Sequence, residues 1–591
     1  MKYGQQDSAG GATNSGGLLV RAGQGARFLV WPAIGAFFVT LVATIARLLG
    51  PLVVRDGLDD GVAASDEMIV ARAGLAFIAL LVLQYVAQRI SQKAVSWVGE
   101  QFLLRLRSRV YAHILSLDMA FFDRSKTGVL VSRMTSDIEA LTDFVNEGAV
   151  TALTNILTSI GVAIALLVVD VQLALVVFAL IGVLMILTIL FQYYVSLAYG
   201  RVRERIAAVL ATLQEGIDRV REVQAFTQYP QQSGTFGRVN ESYFEANMQA
   251  ARAISWFFPS VSVLHTAGIG LVLFVGGRRV IEGDLTFGSL VAFLLLLEWF
   301  FQPIVGLVQV SNLLQASLAA LKKIVGILDT QPALVQSSTA YDLPEHASGS
   351  LRLCDVSFSY SGSGLVLDRM DLDIPAGQRV AIVGETGAGK STVAKLLMRL
   401  YDPTEGLVRV DGHDLRDLTN ESRSRFFTLI PQDDYLFNGT LRENFIYGNR
   451  ESTDRDIWRV CSSMGIDEWV QMLPNGLDTN VRQHGSRFSA GERQLIALGR
   501  AFLIDPAVIV LDEATSNLDP ETEVQVEGAL RVLLSGRTAV VIAHRLRSAE
   551  RADRVVFLHG GRVIGDDTHI GLVNRNPRYR ELVRVWERGL A

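Results

Sequence analysis

Long apolar stretches dominate about the first 320 residues of the chain, whereas the remainder alternates short apolar runs with polar segments. Six of these stretches are long enough to cross a hydrocarbon core of ~30 Å as helices, which takes about 20 residues each. They lie at Phe28–Val54, Met68–Ala87, Ala149–Val169, Gln172–Val195, Ile254–Gly276 and Phe287–Leu307. We therefore predict an all-α transmembrane domain with six spans.

Basic residues are distributed unevenly between these spans. Residues 89–133 hold eight Lys and Arg and residues 201–252 hold seven, whereas the other connections together hold three. Because basic connections stay in the cytoplasm, both ends of the chain are expected there, although Arg278 and Arg279 oppose this assignment. The polar residues 1–26 lack a signal-peptide pattern and are expected to form a cytoplasmic segment.

The two basic connections are too long to be loops without structure of their own. Helical apolar spacing over Val98–Leu117 and Val202–Val223 predicts that the spans continue as long helices into the cytoplasm. Aromatic residues occur at the turns between these extensions, in Phe121-Phe122-Asp123 and Ala225-Phe226. From the pattern alone, they fit either ordinary packing or a docking surface for the second half of the chain.

Composition agrees with a membrane protein that has a soluble part. Of the 591 residues, 50% are apolar and 19% are charged, which excludes a disordered chain. The net charge of −5 provides no basic field for nucleic acid. Two cysteines, Cys354 and Cys461, exclude a disulfide framework and a Cys-rich metal site, and both are expected to be buried apolar residues.

The chain divides into domains where this pattern changes. A segment rich in Ser, Pro and Ala, residues 329–350, follows the transmembrane domain of residues 27–328 and is expected to be a linker. Short Val/Ile runs then alternate with helical segments over residues 351–591, which predicts a parallel α/β sheet. We therefore expect an all-α membrane domain followed by an α/β P-loop domain.

The strongest chemical signal is a G-x-x-x-x-G-K-S motif between a predicted strand, Val380–Val383, and a predicted helix, Thr392–Arg399. In such a loop, backbone N–H groups at a helix N-terminus surround phosphates. Lys390 is expected to reach the β- and γ-phosphates and Ser391 to hold Mg²⁺. The predicted nucleotide-binding residues of this segment are Gly384, Glu385, Thr386, Gly387, Ala388, Gly389, Lys390, Ser391 and Thr392.

Polar residues end two further predicted strands. The run Val508–Leu511 is followed by Asp512 and Glu513, and the run Ala539–Ala543 is followed by His544. Carboxyl ends of parallel strands meet at one sheet edge, where Asp512 suits Mg²⁺ ligation through water. Glu513 suits polarising the attacking water and His544 suits contacting the γ-phosphate, since phosphoryl transfer depends on positioning and charge stabilisation.

The order and spacing of these motifs resemble the ATP-binding-cassette (ABC) exporters, in the form of a half-transporter with six spans and one nucleotide-binding domain. The resemblance extends over about residues 27–585. It implies that Tyr360 stacks on adenine and that Gln432 senses Mg²⁺. It also implies that Ser516–Asp519 lies across a dimer interface and that Phe121-Phe122 and Ala225-Phe226 belong to docking helices.

The resemblance further implies ATP and Mg²⁺ as ligands and transport by alternating access. The metal would be held by Ser391, Gln432 and Asp512, and the catalytic residues would be Glu513, His544 and Lys390. Energy from ATP shifts the conformational equilibrium only through its differential affinity for the closed dimer.

The signature that clamps the partner's ATP departs from the family pattern Leu-Ser-Gly-Gly-Gln, because this chain has Phe488–Glu492 in the order Phe-Ser-Ala-Gly-Glu. Ser489 and Gly491 are retained as ATP-binding residues. Ala490 adds a methyl group, and Glu492 places a carboxylate near an anion, which we expect to weaken the clamp slightly. An altered signature beside an intact Glu513 favours a heterodimer, with a homodimer as the alternative.

The expected function is export or flipping of lipids or amphipathic compounds across the bacterial inner membrane, with membrane lipids as surroundings and no nucleic acid partner. An importer built on the exporter architecture and an ATP-gated protein without net transport are the alternatives. Few polar residues mark a substrate path: Arg47, Arg72, His265 and Glu298. Glu298 is expected either to meet a cationic or polar substrate group or to pair with an arginine such as Arg47 or Arg72.

Overall fold

The computed structural model describes residues 27–344, 346–360, 364–431, 435–512, 520–543 and 545–588. Contacts divide the chain into two units. The first comprises the residues up to Leu115 together with Thr127–Thr330, and the second comprises Ser116–Lys126 together with the chain from Gln331 onward. The short segment Ser116–Lys126 therefore belongs to the second unit although it lies between two helices of the first.

Helices account for nearly all of the described residues up to Leu328. In chain order they are α1 (Val30–Asp56), α2 (Glu67–Ser116), α3 (Met119–Arg124), α4 (Thr127–Met134), α5 (Ser136–Asp143), α6 (Val150–Val169), α7 (Val171–Asp218), α8 (Val220–Ala225), α9 (Tyr229–Glu282) and α10 (Phe287–Leu328). Two π-helical turns, Gly57–Val62 and Phe144–Ala149, extend α1 and precede α6.

Within the described residues, five helical stretches are long and apolar enough to cross a membrane; they contain the second to fifth predicted spans and all of the first except Phe28 and Leu29. The sixth predicted span, Phe287–Leu307, lies at the start of the 42-residue helix α10, which includes the apolar stretch Phe287–Pro303. Helices α2, α7 and α9 have 50, 48 and 54 residues. At 1.5 Å per residue each is over twice as long as a ~30 Å hydrocarbon core is thick, so each helix extends well beyond the length that a span requires.

One of the two arginines that oppose the charge rule, Arg279, forms a largely buried ion pair. Both Nη1–carboxylate oxygen distances between Arg279 and Asp170 are 2.8 Å. The two side chains are only 18% and 13% exposed. Asp170 also accepts the Leu173 N–H at 2.8 Å and so caps α7. Arg279, at the end of α9, is therefore not a free basic residue, because Asp170 compensates its charge locally.

Among its described residues, the second unit contains two sheets, helix α3 and the remaining helices. The strands are β1 (Leu351–Phe358), β2 (Leu367–Ile374), β3 (Arg379–Gly384), β4 (Glu405–Val410), β5 (His413–Asp414), β6 (Phe427–Ile430), β7 (Val508–Asp512), β8 (Thr538–Ile542), β9 (Arg554–His559) and β10 (Arg562–Asp567). The helices are α11 (Lys390–Leu397), α12 (Asn420–Phe426), α13 (Leu441–Phe445), α14 (Asp454–Met464), α15 (Asp467–Met472), α16 (Ala490–Ile504), α17 (Pro520–Leu533), α18 (Leu546–Glu550), α19 (His569–Arg575) and α20 (Pro577–Glu587).

The larger sheet has the strand order β10-β9-β3-β8-β7-β6. Strands β6, β7, β8, β3 and β9 run parallel, and β10 joins the edge antiparallel. The central strands are apolar without alternation because both faces are covered, as Val380, Val510 and Val540 are fully buried. The predicted parallel α/β sheet is therefore confirmed.

The smaller sheet, with order β2-β1-β4-β5, is antiparallel and was not anticipated from the sequence. The segment before it, assigned to a linker, is attached to this sheet. Asp411 accepts the N–H groups of Gly349 and Ser350 at 2.9 and 2.8 Å and the Ser348 hydroxyl at 2.6 Å. The end of this segment is thus held by one carboxylate.

Candidate nucleotide-binding site

The glycine-rich loop joins β3 to α11 at the edge of the parallel sheet. Gly389, which caps α11, has a left-handed backbone with φ of +99°. A Cβ there would lie 2.7 Å from Leu367 Cδ2 and 3.1 Å from the Val366 carbonyl oxygen. Because an alanine would be both strained and blocked, glycine is required for this approach of the loop to β2.

Lys390 is folded into the loop. Its side chain is 5% exposed, and Nζ donates hydrogen bonds to the carbonyl oxygens of Gly384 at 2.8 Å and Glu385 at 3.1 Å. The ammonium group therefore lies on the inner side of the loop that leads into the N-terminus of α11. A positive charge and a helix N-terminus at one place favour an anion.

The aromatic residue predicted to contact adenine lies beside this helix. The Tyr360 hydroxyl and the Thr392 Oγ1 are 3.1 Å apart, which places the ring within one turn of the loop. Phe358 and Tyr401 pack edge-on to the Tyr360 ring, with centroids 4.8 and 5.3 Å away. The ring is thus fixed in position by neighbours on two sides.

The carboxylate of Asp512 ends β7, as the sequence predicts. Strands β7, β8 and β3 are consecutive and parallel, with Asp512 in register with Ile542 of β8. The sheet therefore brings the ends of the three predicted strands to one edge. Gln432, Glu513, His544 and Ser516–Asp519 lie outside the described residues.

The donor chemistry at this edge suits Mg²⁺. The exposed hydroxyl of Ser391 and the carboxylate of Asp512 are hard oxygen donors. Among the described residues, no group of three or more His, Cys, Asp or Glu side chains could form a metal cage by itself. Mg²⁺ characteristically binds through one or two carboxylates together with substrate phosphates, so the residues present fit this metal.

The altered signature forms the start of α16. Ser489 is the N-cap, with its Oγ accepting the Glu492 N–H at 3.2 Å, while Glu492 Oε2 accepts the Ser489 N–H at 2.7 Å. This reciprocal pair is a capping box. Glu492 Oε1 also accepts a hydrogen bond of 2.8 Å from the indole Nε1 of Trp469. Both oxygens of the carboxylate are therefore engaged.

Sequence reasoning missed Trp469. It lies in α15, 23 residues before Glu492, and its ring packs edge-on to Phe488 with centroids 5.6 Å apart. The residue that could have indicated Trp469 was the unusual Glu492. A capping box uses one oxygen of the carboxylate, so the other oxygen can accept a hydrogen bond from a second donor. The expectation that Glu492 simply adds negative charge near phosphate did not include this donor.

Helix α3, which carries the first aromatic turn, is attached within the second unit. Tyr401 Oη donates to Asp123 Oδ2 at 2.6 Å, and Lys395 Nζ donates to the same oxygen at 3.2 Å. The hydrogen bond from Tyr401 and the charge of Lys395 hold the pKa of Asp123 below its usual value. Burial and the Asp123 carboxylate raise the pKa of Tyr401. These contacts attach the first turn to the second unit through Asp123, while a docking role for Phe121-Phe122 stays a prediction.

Among the described residues, the second aromatic turn makes no comparable side-chain hydrogen bond. Phe226 follows α8 and is 73% exposed. Its docking role stays a prediction.

The polar residues of the spans are unequally placed. The Arg47 guanidinium lies over the ring of Trp299, the residue that follows Glu298 in α10, 4.8 Å from its centroid. Arg72 is exposed and contacts the sulfur of Met68 at 3.3 Å. Of the two arginines suggested as partners for Glu298, the structure therefore favours Arg47.

Comparison with known proteins agrees with this architecture. Residues 33–304 match the ABC transporter transmembrane region, and residues 367–516 match the ABC transporter family model. An uncharacterized ABC transporter ATP-binding protein of Bacillus subtilis is 32% identical over 93% of this chain and 91% of its own length. An ATP-dependent lipid A-core flippase of Thiobacillus denitrificans is 31% identical over 93% of this chain and 95% of its length.

Two further matches concern length and fold. A multidrug efflux ATP-binding/permease protein of Mycobacterium bovis is 35% identical over 93% of this chain but only 46% of its own length. The chain thus spans about half of that relative. The solved structure of a bacterial Atm1-family ABC exporter with ATP bound superposes with a TM-score of 0.76 and 24% identity, covering 95% of this chain and 99% of that one.

Proposed function

The chain belongs to the ABC transporter family, and we propose that it is an ATP-hydrolysing half-transporter that exports or flips lipids or amphipathic compounds. The observation that carries this proposal is the phosphate loop with Lys390 folded into it, in a chain that also has apolar helices of membrane-spanning length. The relatives named for multidrug efflux and for lipid A-core flipping support an amphipathic cargo and outward movement.

The chain's own residues have separate tasks in the proposed ATPase site. The loop from Gly384 to Ser391 and the ammonium of Lys390 hold the β- and γ-phosphates. Tyr360 supports the adenine ring. Glu513, whose role rests on its position after β7, orients the attacking water, and His544 contacts the γ-phosphate. These tasks are positioning and charge stabilisation, which supply most of the catalysis in phosphoryl transfer.

A magnesium ion completes this proposal. Ser391, Asp512 and Gln432 would hold it, and when bound it would neutralise charge on the phosphates. The hydroxyl and carboxylate of the first two residues are suitable donors, as described above. Gln432 is included from its sequence position.

We propose that the working form is a dimer, because the signature at Ser489 and Gly491 is expected to bind ATP held by a second nucleotide-binding domain. The M. bovis relative, about twice the length of this chain, supports a functional unit of two halves. The altered signature suggested a heterodimer. Glu492 accepts hydrogen bonds from Ser489 and Trp469, so the altered residue has a structural role in this chain. The alteration is therefore weaker support for a heterodimer. The activity of the chain alone distinguishes the two dimers.

The proposed location is the cytoplasmic membrane, with the nucleotide-binding domain and both termini in the cytoplasm. The basic connections at residues 89–133 and 201–252 support this orientation. Arg278 and Arg279, which oppose this count, are each paired with an acid, Glu282 and Asp170, at 2.8 Å. The alternatives are an importer with this architecture and an ATP-gated protein without net transport. The direction of ATP-dependent transport distinguishes the importer, and conductance without accumulation distinguishes the ATP-gated protein.

A transport assay tests the proposal. Proteoliposomes containing the chain with outward-facing nucleotide-binding domains should move a fluorescent amphipathic dye into the lumen when ATP and Mg²⁺ are added outside. Glu513→Gln should bind ATP but stop accumulation. Movement in the opposite direction would indicate an importer, and ATP-dependent conductance without accumulation would indicate a channel.

A further inference from the structure

A polar cavity lies inside the membrane unit, between α1, α2 and α6. It has a volume of about 250 Å³. Its polar lining consists of Thr40, Thr44, Arg47, Gln84, Gln88, Ser91, Gln92, Thr151, Thr154, Asn155 and Thr158. Hydroxyls and amides are expensive in a hydrocarbon region unless something pairs with them, so a concentration of them on three apolar helices needs an explanation.

The lining has one formal charge, and it is positive. Arg47 is held in place by the Trp299 ring at 4.8 Å. Glu298, the neighbour of Trp299 in the chain, does not line this cavity but a second one of about 480 Å³, together with His265 and Gln302. The first cavity therefore presents a guanidinium surrounded by neutral hydrogen-bonding groups.

One hydroxyl of the lining is left without a partner. Thr158 is 1% exposed, and its Oγ1 is buried with no hydrogen-bond partner. In contrast, Thr40 donates to the Ala36 carbonyl at 2.8 Å and Thr44 to the Thr40 carbonyl at 2.9 Å. An unpaired hydroxyl buried in an apolar helix bundle lowers stability, and a bound polar group would remove that penalty.

We propose that this cavity binds an anionic, hydrogen-bonding headgroup of an amphipathic ligand, a phosphate or carboxylate that pairs with Arg47. Arginine binds such groups in a bidentate manner, and the amides and hydroxyls accept or donate the remaining hydrogen bonds. The volume is below the ~300–1,000 Å³ of sites that hold a whole drug-sized ligand. The cavity therefore holds the headgroup, while the apolar tail stays outside it.

This inference rests on the proposed function, since it names the substrate class of the proposed transport. Binding is measured without ATP, so that it is independent of hydrolysis. If binding fails while ATPase activity and transport persist, only this inference is lost. If binding succeeds without transport, the proposed function is lost.

The experiment is a thermal unfolding titration in dodecyl maltoside, a neutral detergent without phosphate. Three probes are compared: dodecyl phosphate, dodecyltrimethylammonium and inorganic phosphate. A ligand that binds the folded state raises the unfolding temperature in a concentration-dependent way. We expect stabilisation by dodecyl phosphate alone.

Three variants locate the binding. Arg47→Gln should weaken dodecyl phosphate binding more than about tenfold, as expected for a charge-assisted contact. Thr158→Val should weaken it about fivefold, the effect of one hydrogen bond, while leaving the unliganded protein at least as stable as wild type. Thr188→Val is the matched control, because the Thr188 Oγ1 is also buried without a partner but lies outside the cavity, and binding should be unchanged.

Several results would overturn the proposal. Equal stabilisation by dodecyltrimethylammonium would show that the cavity does not distinguish an anionic headgroup from a cationic one. Stabilisation by inorganic phosphate that depends on Arg47 would show a site for a free anion instead of a headgroup. Unchanged affinity in Arg47→Gln, or the same loss in Thr188→Val as in Thr158→Val, would place binding elsewhere.

Discussion

The indole of Trp469 and the carboxylate of Glu492 are joined by a hydrogen bond of 2.8 Å at the start of the signature helix α16. The second carboxylate oxygen accepts the Ser489 N–H at 2.7 Å. A glutamine, the usual residue of the family at this position, has one acceptor oxygen and an amide group that donates. It cannot accept both hydrogen bonds with separate oxygens. The glutamate and the tryptophan therefore belong together.

Restoring the family residue should be harmful in this chain. Glu492→Gln leaves one donor unpaired, so we expect a loss of about 1–3 kcal/mol in stability, the range for an unsatisfied donor, and a several-fold fall in ATPase turnover. The double variant Trp469→Phe with Glu492→Gln should be no worse than Glu492→Gln alone, because the unpaired N–H is removed. Thermal unfolding and steady-state ATPase assays measure both. Higher turnover in Glu492→Gln would contradict this account and support weakening of the clamp by negative charge.

The phosphate loop offers a matched pair of glycines. Gly387 and Gly389 both have left-handed backbones, with φ of +83° and +99°, but only at Gly389 does a Cβ meet neighbouring atoms within 4 Å. Gly387→Ala should cost about 1–2 kcal/mol of strain and weaken binding of a fluorescent ATP analogue roughly tenfold. Gly389→Ala adds a clash with Leu367 and should abolish measurable binding. Equal affinities in the two variants would show that the contact with β2 does not shape the loop.

The ion pair between Arg279 and Asp170 should be important for stability because it is largely buried. Arg279→Met leaves the Asp170 carboxylate buried without its partner, and we expect a loss of roughly 3–5 kcal/mol. Adding Asp170→Asn should recover part of this loss, since asparagine still caps α7. Unfolding temperatures of the single and double variants give the coupling. Additive losses would mean that the two charges do not interact.

The contact of Asp123 with Tyr401 and Lys395 should depend on pH. Because the Asp123 pKa is held below its usual value, its ionised form stabilises the fold above the ordinary carboxyl range. This stabilisation disappears as pH falls through the lowered pKa. Wild type should therefore unfold at a slightly higher temperature than Asp123→Asn at neutral pH, and the gap should close on acidification. The gap should be small because Asp123 is 42% exposed. A gap independent of pH would assign the effect to side-chain shape.

Features with a local signal were predictable from the sequence. The phosphate loop is encoded by closely spaced glycines and a lysine, and the structure places Lys390 at the first residue of α11, after the loop that follows β3, and Asp512 at the end of β7. Long helices beyond the spans followed from apolar periodicity. Each of these features depends on residues that are close together in the sequence, so it can be predicted without knowledge of the fold.

Features that depend on distant partners were not predictable. Strand β1 pairs with β4, more than 50 residues later in the chain, and nothing local in either strand identifies the other. Trp469 and Glu492 are 23 residues apart, and Arg279 and Asp170 are 109 apart. Each contact exists because packing of whole elements brings two side chains together. The cavity around Arg47 is of the same kind, since three helices contribute to its lining.

The central claim is that this chain hydrolyses ATP at the site built on β3 and β7. The most direct test is vanadate-sensitive ATPase activity of the chain purified alone in lipid nanodiscs, beside its Glu513→Gln variant. We expect both proteins to bind ATP and the variant to lose the wild-type turnover. Turnover by wild type alone would establish a homodimer, and turnover only with a co-expressed second half would establish a heterodimer. Hydrolysis by Glu513→Gln at the wild-type rate would contradict the catalytic assignment.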